Sequence, residues 1–73
     1  SWLLDGSLDI NELKHLLKKE RLPDEDMGSF HTLGGFVMYS LEHVPQSGEF
    51  FDWDGLRFEV VDMDGTRVDK ILV

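Results

Sequence analysis

Two short acidic motifs are the residues best placed in this sequence to do chemistry. Asp52-Trp53-Asp54 and Asp62-Met63-Asp64 each set two carboxylates two residues apart, and residues i and i+2 of a strand share a face. Each pair runs into an Asp-Gly turn, at Gly55 and at Gly65. Oxygen donors crowded beside a turn suit Mg2+ or Ca2+, so Asp52, Asp54, Asp62 and Asp64 are the expected metal ligands. The pairs lie at opposite ends of the strand between them and should not join in one site. Neither has the length or glycine position of an EF-hand loop. A plainer use for Asp54 and Asp64 is that Asp-Gly makes tight turns. Beyond such a cation, the pattern specifies no cofactor.

Other groups carry less. His15, His31 and His43 form no His-x-x-x-His ligand pair. His15 projects opposite an apolar helical stripe, and His43 falls in the expected last turn of a helix, where a cation is favoured. Ser7, Ser29, Ser40 and Ser47 lack the context of a nucleophile elbow. With no cysteine, a disulfide framework and a thiolate zinc site are both excluded. Asp24-Glu25-Asp26 could gather a hydrated cation, though its surroundings read as a solvated linker. Thr32-Leu33-Gly34-Gly35 would bare backbone amides at a helix start, as phosphate sites do. No Gly-x-Gly-x-x-Gly is present, and close packing against a sheet is the simpler use of those glycines. The chain reads as a non-enzyme.

The elements that must position these groups follow from periodicity. Ser1 to Gly6 reads as a short strand ending in an Asp5-Gly6 turn. Asp9 and Glu12 have capping-box spacing, and Ile10, Leu13 and Leu17 make one stripe of a helix expected over residues 10–19. Thr32 is the expected cap of a second helix, with Leu33, Phe36, Val37, Leu41 and Val44 on its buried side and Pro45 as its stop. The period then falls from 3.6 to 2. Phe51 and Trp53, then Leu56, Phe58 and Val60, alternate around Asp54-Gly55, and Asp64-Gly65 leads into a last strand from Arg67 to Val73. Ile71, Leu72 and Val73 are all apolar, which a bulge or two-sided burial would explain. The fold class is α+β: two helices on one face of a small, mostly antiparallel four-stranded sheet in the order β-α-α-β-β-β.

Seven basic against fifteen acidic residues give a net charge of −8. That field repels a phosphate backbone, so nucleic acid is excluded as a partner, and docking onto an anionic membrane is disfavoured. No apolar run is long enough to insert in a membrane. Excess carboxylate suits divalent cations or basic protein patches. Met38, Tyr39, Trp2 and Trp53 are large groups on a small body, and an open sheet leaves edges that a partner or a homodimer could cover. The sequence starts directly on apolar residues, which leads us to expect a longer protein upstream.

The ordered set of motifs resembles one known family. Leu3-Leu4-Asp5-Gly6-Ser7-Leu8 leads into the first helix, His31-Thr32-Leu33-Gly34-Gly35-Phe36 opens the second, and His43-Val44-Pro45 leaves it. Gly48-Glu49, Leu56-Arg57-Phe58-Glu59-Val60 and Arg67-Val68-Asp69-Lys70 complete the series. This is similar to the CorC/HlyC transporter-associated domain across nearly the whole chain. Glu42 departs from it, standing where such domains often carry glycine. The resemblance implies one domain over residues 1–73, at the C-terminus of a larger hemolysin-like or magnesium and cobalt efflux protein. There it would follow a membrane region and a CBS pair and face the cytoplasm. It further implies a regulatory or assembly module of an ion transporter that acts through domain docking or divalent cations. The fold would resemble one lobe of the FAD-binding fold of the vanillyl-alcohol oxidase type. A flavin or adenine-nucleotide module is the alternative, yet one lobe of this size cannot enclose a dinucleotide, so FAD is not expected on the isolated domain.

Overall fold

The switch from a 3.6 to a 2 residue period divides the chain into a helical half and a strand half. A computed structural model describes residues 1–73. Strand β1 (Leu3–Asp5) is followed by helix α1 (Ile10–Leu17), a single 3-10 turn (Glu25–Met27) and helix α2 (Leu33–Leu41). Strands β2 (Phe50–Trp53), β3 (Leu56–Asp64) and β4 (Arg67–Leu72) form the meander. The sheet order is β1-β4-β3-β2, antiparallel throughout, so the first strand returns to pair with the last. The fold is the two-helix, four-stranded α+β arrangement expected from the sequence.

Both helices cover one face of the sheet. Leu13, Leu33, Phe36 and Val37 from the helices meet Phe58, Val60 and Ile71 from the strands, all fully buried. Phe36 is the hub, with Phe58 and Phe51 edge-on to it at 5.5 and 5.6 Å between ring centres. Tilted and edge-to-face pairs of this kind add to the value of the area they bury. No polar or charged residue is buried.

Local chemistry sets the ends of the elements and corrects four expectations. Asp9 caps α1 by accepting from the Asn11 amide at 2.8 Å, not from Glu12, and Glu12 does not reach back. Lys18 then turns left-handed, and the helix ends at Leu17, two residues before the expected Lys19. Helix α2 is capped by Thr32 as expected, its hydroxyl oxygen accepting from the Gly35 amide at 3.2 Å. It stops at Leu41 because Glu42 adopts a left-handed conformation (φ 65°), well before Pro45. Val44, expected in the buried stripe, is therefore about half exposed, and His43 lies outside the helix.

In the meander, Asp54 and Gly55 both have positive φ and form the two-residue loop between Trp53 and Leu56, as mirror-image hairpin turns require. The next loop is Gly65-Thr66, since Asp64 still pairs with Arg67. Register shifts leave Val61 of β3 and Asp69 of β4 as extra residues. The apolar run at the end of the last strand lies beyond these bulges: Ile71 is buried under the helices, Leu72 is exposed on the opposite face, and Val73 packs against the core again.

Candidate functional site

Three backbone segments meet where β1 feeds α1 and α2 begins. The amides of Leu33 and Gly34 donate to the carbonyls of Leu8 and Gly6 at 2.8 and 2.9 Å, and the Gly6 amide donates to Asp69 at 2.8 Å. A Cβ on Gly6 would fall 1.9 Å from the Val68 carbonyl oxygen, and one on Gly34 would fall 3.1 Å from the Gly6 oxygen. At Gly6 glycine is required for close approach, while Gly34 is merely tight. With the Gly35 amide donating to Thr32, the leading donors of α2 are consumed within the fold. No bare amides remain for a phosphate at this helix start.

The four predicted ligands are separated. Asp52 lies in β2 opposite Arg57 and accepts from its Nε at 3.0 Å. Asp54 sits in the turn, and its carboxylate reaches the other way to Lys19. Asp62 stands opposite Lys70 in register, and Asp64 pairs with Arg67 at 3.4 Å. The positive φ of Asp54 takes its carboxylate out of line with Asp52, whereas Asp62 and Asp64 flank Met63 with no extra residue of β3 between them. No three His, Asp or Glu side chains come together as metal ligands would.

The surface charges are mostly paired among themselves. Lys14 joins Glu25, Arg21 joins Asp26, and Lys70 joins Asp5 and Asp69, so every lysine and arginine except Lys18 touches a carboxylate. Asp5 is held well below the usual carboxylate range by the Ser7 amide, then by the Ser7 hydroxyl and Lys70. Lys14 and the Leu22 amide depress Glu25. His43 is raised by its bond to Glu49, and Glu49 is lowered by the Gln46 amide and by His43. His15 and His31 are exposed and make no ion pair.

Two surfaces stand out beyond these pairs. The first is the sheet face turned away from the helices. Register places Leu3, Leu72, Glu59 and Phe50 side by side across all four strands, with Val61 bulged out of β3. Leu3, Phe50, Val61 and Leu72 are all exposed, and Arg57 lies 4.0 Å over the Phe50 ring. Sequence reading singled out Trp2, Trp53, Met38 and Tyr39 as apolar surface and missed this row. The adjacent apolar pair Ile71-Leu72 was its signal, because neighbours in a strand point to opposite faces.

The second surface is a cleft of about 650 Å3 between the end of α2, the segment before the 3-10 turn and β2. Phe36, Tyr39, Phe51 and Trp53 line it together with Asp24 and Glu42. Tyr39 donates its hydroxyl to Asp24 at 2.9 Å, which raises the phenol pKa.

Comparison with known proteins adds a family and several relatives. Residues 1–73 match the CorC_HlyC family, described as the transporter associated domain. A UPF0053 protein of Synechocystis is 58% identical over 73 residues, and the polyamine export protein of Salmonella typhimurium is 37% identical over 73 residues. A shorter match, 40% over 42 residues, reaches the magnesium and cobalt efflux protein CorC of Salmonella typhimurium across 58% of this chain and 14% of that protein. The first two cover 100% of this chain, which spans only 16% of their length. Among solved structures, the CorC_HlyC domain of a Xylella fastidiosa hemolysin, in complex with Mg++ and Mn++, superposes with a TM-score of 0.77. It is 40% identical and covers 94% of this chain and 78% of its own.

Proposed function

Since this chain belongs to the CorC/HlyC transporter-associated domain family, we propose that it is a non-catalytic docking module that regulates or helps assemble a transporter. The relatives' names suggest that such domains do not choose the cargo, because one relative exports polyamines and another magnesium and cobalt. In this reading residues 1–73 are one domain of a longer membrane protein, on its cytoplasmic side. Its partners are the other domains of that polypeptide, a CBS pair and a membrane region.

The observation that carries the proposal is the exposed row Leu3, Leu72 and Phe50 with the neighbouring Val61. A second sheet face that exposes Leu3, Leu72, Phe50 and Val61 around a single carboxylate, Glu59, is suited to being covered. The occupant we favour is another domain of the same chain, because most of each full-length relative lies outside this domain and tethering raises its effective concentration to about the millimolar range. Amide hydrogen exchange on the isolated domain and on the full-length protein tests this. Protection of β2 and β4 should rise in the longer protein. Equal protection in both would remove the docking face.

Divalent cations form a subsidiary part of the proposal. Asp52, Asp54, Asp62 and Asp64 would take Mg2+ or Ca2+ at the strand ends, supported by the metal-bound Xylella relative. Three of these carboxylates are already paired with Arg57, Lys19 and Arg67, so a metal must compete, and affinity should be weak, on the order of 10⁻³ M. Calorimetry with Mg2+ and Mn2+ checks it: no heat at millimolar metal removes this part and leaves docking untouched. A flavin or adenine nucleotide is not favoured, because the leading α2 amides already donate within the fold.

A further inference from the structure

We propose that Glu59 selects what covers the outer face of the sheet: another domain of the same polypeptide that brings an arginine or lysine, set among apolar groups, to this carboxylate. The inference rests on the docking reading above and adds the chemistry of the partner. Register puts Glu59 between Leu72 of β4 and Phe50 of β2, and directly opposed residues stand within about 5.5 Å of each other. Leu72 and Phe50 are exposed, and Glu59 is half-buried between them. The one carboxylate of the row thus sits inside it, where a covering surface must meet it.

Glu59 differs from the charges around it. Asp52 is held by Arg57, Asp5 by Lys70 and Asp64 by Arg67, so those carboxylates are neutralised within the domain. Glu59 makes no ion pair. Asp62 has none either, but it stands outside the row and is exposed. Arg57, two residues from Glu59 on the same strand, is the internal alternative, and its guanidinium is engaged elsewhere. Its Nε donates to Asp52 at 3.0 Å, and the group lies 4.0 Å over the Phe50 ring. The raised pKa of Arg57 comes first from Asp52 and last from Glu59.

While the face is open, water solvates the carboxylate. Covering the face removes that water, and an ionised group left there without a partner is strongly disfavoured. A wholly apolar cover is therefore rejected, and one that carries a cation is kept. A charge inside an apolar patch selects among partners in this way more than it adds affinity. A hollow of about 350 Å3 beside Glu59, bordered by Trp2, Leu56, Arg57 and Leu72, gives the stem of the incoming side chain a place to lie. Long cationic side chains bury their stems on apolar surface in this manner. Arginine suits the site best, because its fork meets a carboxylate through two parallel hydrogen bonds.

The test is amide hydrogen exchange on the full-length protein and its variants, read in peptides from β3 and β4. Leu72→Glu reports docking itself: if it costs no protection, the docking reading fails and this proposal with it. Where Leu72→Glu does cost protection, Glu59→Gln should lower the docking-dependent part at least about tenfold. Protection that stays level or rises in Glu59→Gln or Glu59→Leu would mean an apolar cover without a cation, overturning the proposal and leaving docking in place. In the Leu72→Glu background the face is already uncovered, so Glu59→Gln should change nothing further. A further loss of the same size there would assign the effect to the fold and overturn the proposal. The loss should also persist beside Arg57→Gln, and its disappearance would make Arg57 the partner of Glu59 instead. Protection that climbs with protein concentration would put a second copy on the face and overturn the assigned occupant.

Discussion

Replacing Gly6 by alanine tests what seats the helices on the sheet. The added Cβ would lie 1.9 Å from the Val68 carbonyl oxygen and 2.9 Å from its carbon. Both are backbone atoms of β4 and cannot rotate away. Opening that contact strains two hydrogen bonds, from Gly6 to Asp69 and from Gly34 to Gly6. Overpacking costs about 1–3 kcal/mol, and each buried polar group left without its partner costs a further ~1–3 kcal/mol. A loss of roughly 3 kcal/mol or more is expected, against a total of about 4–11 kcal/mol for a chain of this length. Urea unfolding followed by circular dichroism measures it. With a slope near 1 kcal/mol per M, the midpoint should fall by about 3 M. Gly34→Ala is the control, since its Cβ would meet carbonyl oxygens at 3.1 and 3.2 Å and alanine gains about 1 kcal/mol in a helix. Its net effect should stay within about 1 kcal/mol. If Gly6→Ala also unfolds within about 1 kcal/mol of wild type, close backbone approach is not what seats the helices.

Three further outcomes follow from particular side chains. Glu42→Gly relieves a left-handed non-glycine residue and should raise stability by about 0.5–1 kcal/mol, read as a melting temperature higher by several degrees. The His43–Glu49 pair should make the loop after α2 pH-sensitive. His43 is raised above its ordinary 6.5, so its contribution is full below that pH and fades as pH climbs through the raised value. Glu49 is lowered below its ordinary 4.5, so its share is present above that pH and is lost as pH falls through the lowered value. The pair is therefore strongest between these two limits, and melts at about pH 5.5 and about pH 8 should differ less in His43→Gln than in wild type. Leu72→Glu changes an exposed residue and should shift the isolated domain's stability by less than about 1 kcal/mol. In the full-length protein it should reduce the exchange protection of β4, and unchanged protection would argue against docking through this face.

Much of the fold was legible because local rules and tertiary packing agreed. Thr32 as a cap, the stripe Ile10, Leu13, Leu17, and the turn at Asp54-Gly55 each depend on neighbours within a few residues. Two classes of feature were not legible. Glu42 ends α2 early because the chain turns left-handed there, a choice that periodicity does not encode, so Val44 and His43 were placed in the helix. The bulges at Val61 and Asp69 depend on how two strands settle against each other. They shift the side to which Asp62 points, which spacing alone could not foresee.

The surfaces were less legible than the fold for a related reason. The metal reading used residues close in sequence, Asp52 with Asp54 and Asp62 with Asp64, and the structure engages most of those carboxylates with Arg57, Lys19 and Arg67. The cleft instead joins Asp24, Glu42 and Trp53, which no short motif connects. Charge accounting links the two facts. Fifteen acids face seven basic residues, and six of the seven are consumed in pairs, leaving only Lys18. The carboxylates left without an ion pair include Asp24 and Asp62, inside the acidic motifs themselves, as well as Glu42 at the end of α2. Spacing in the sequence therefore locates the charges but not their partners, which the register of β3 with β4 and the turn at Asp54 decide.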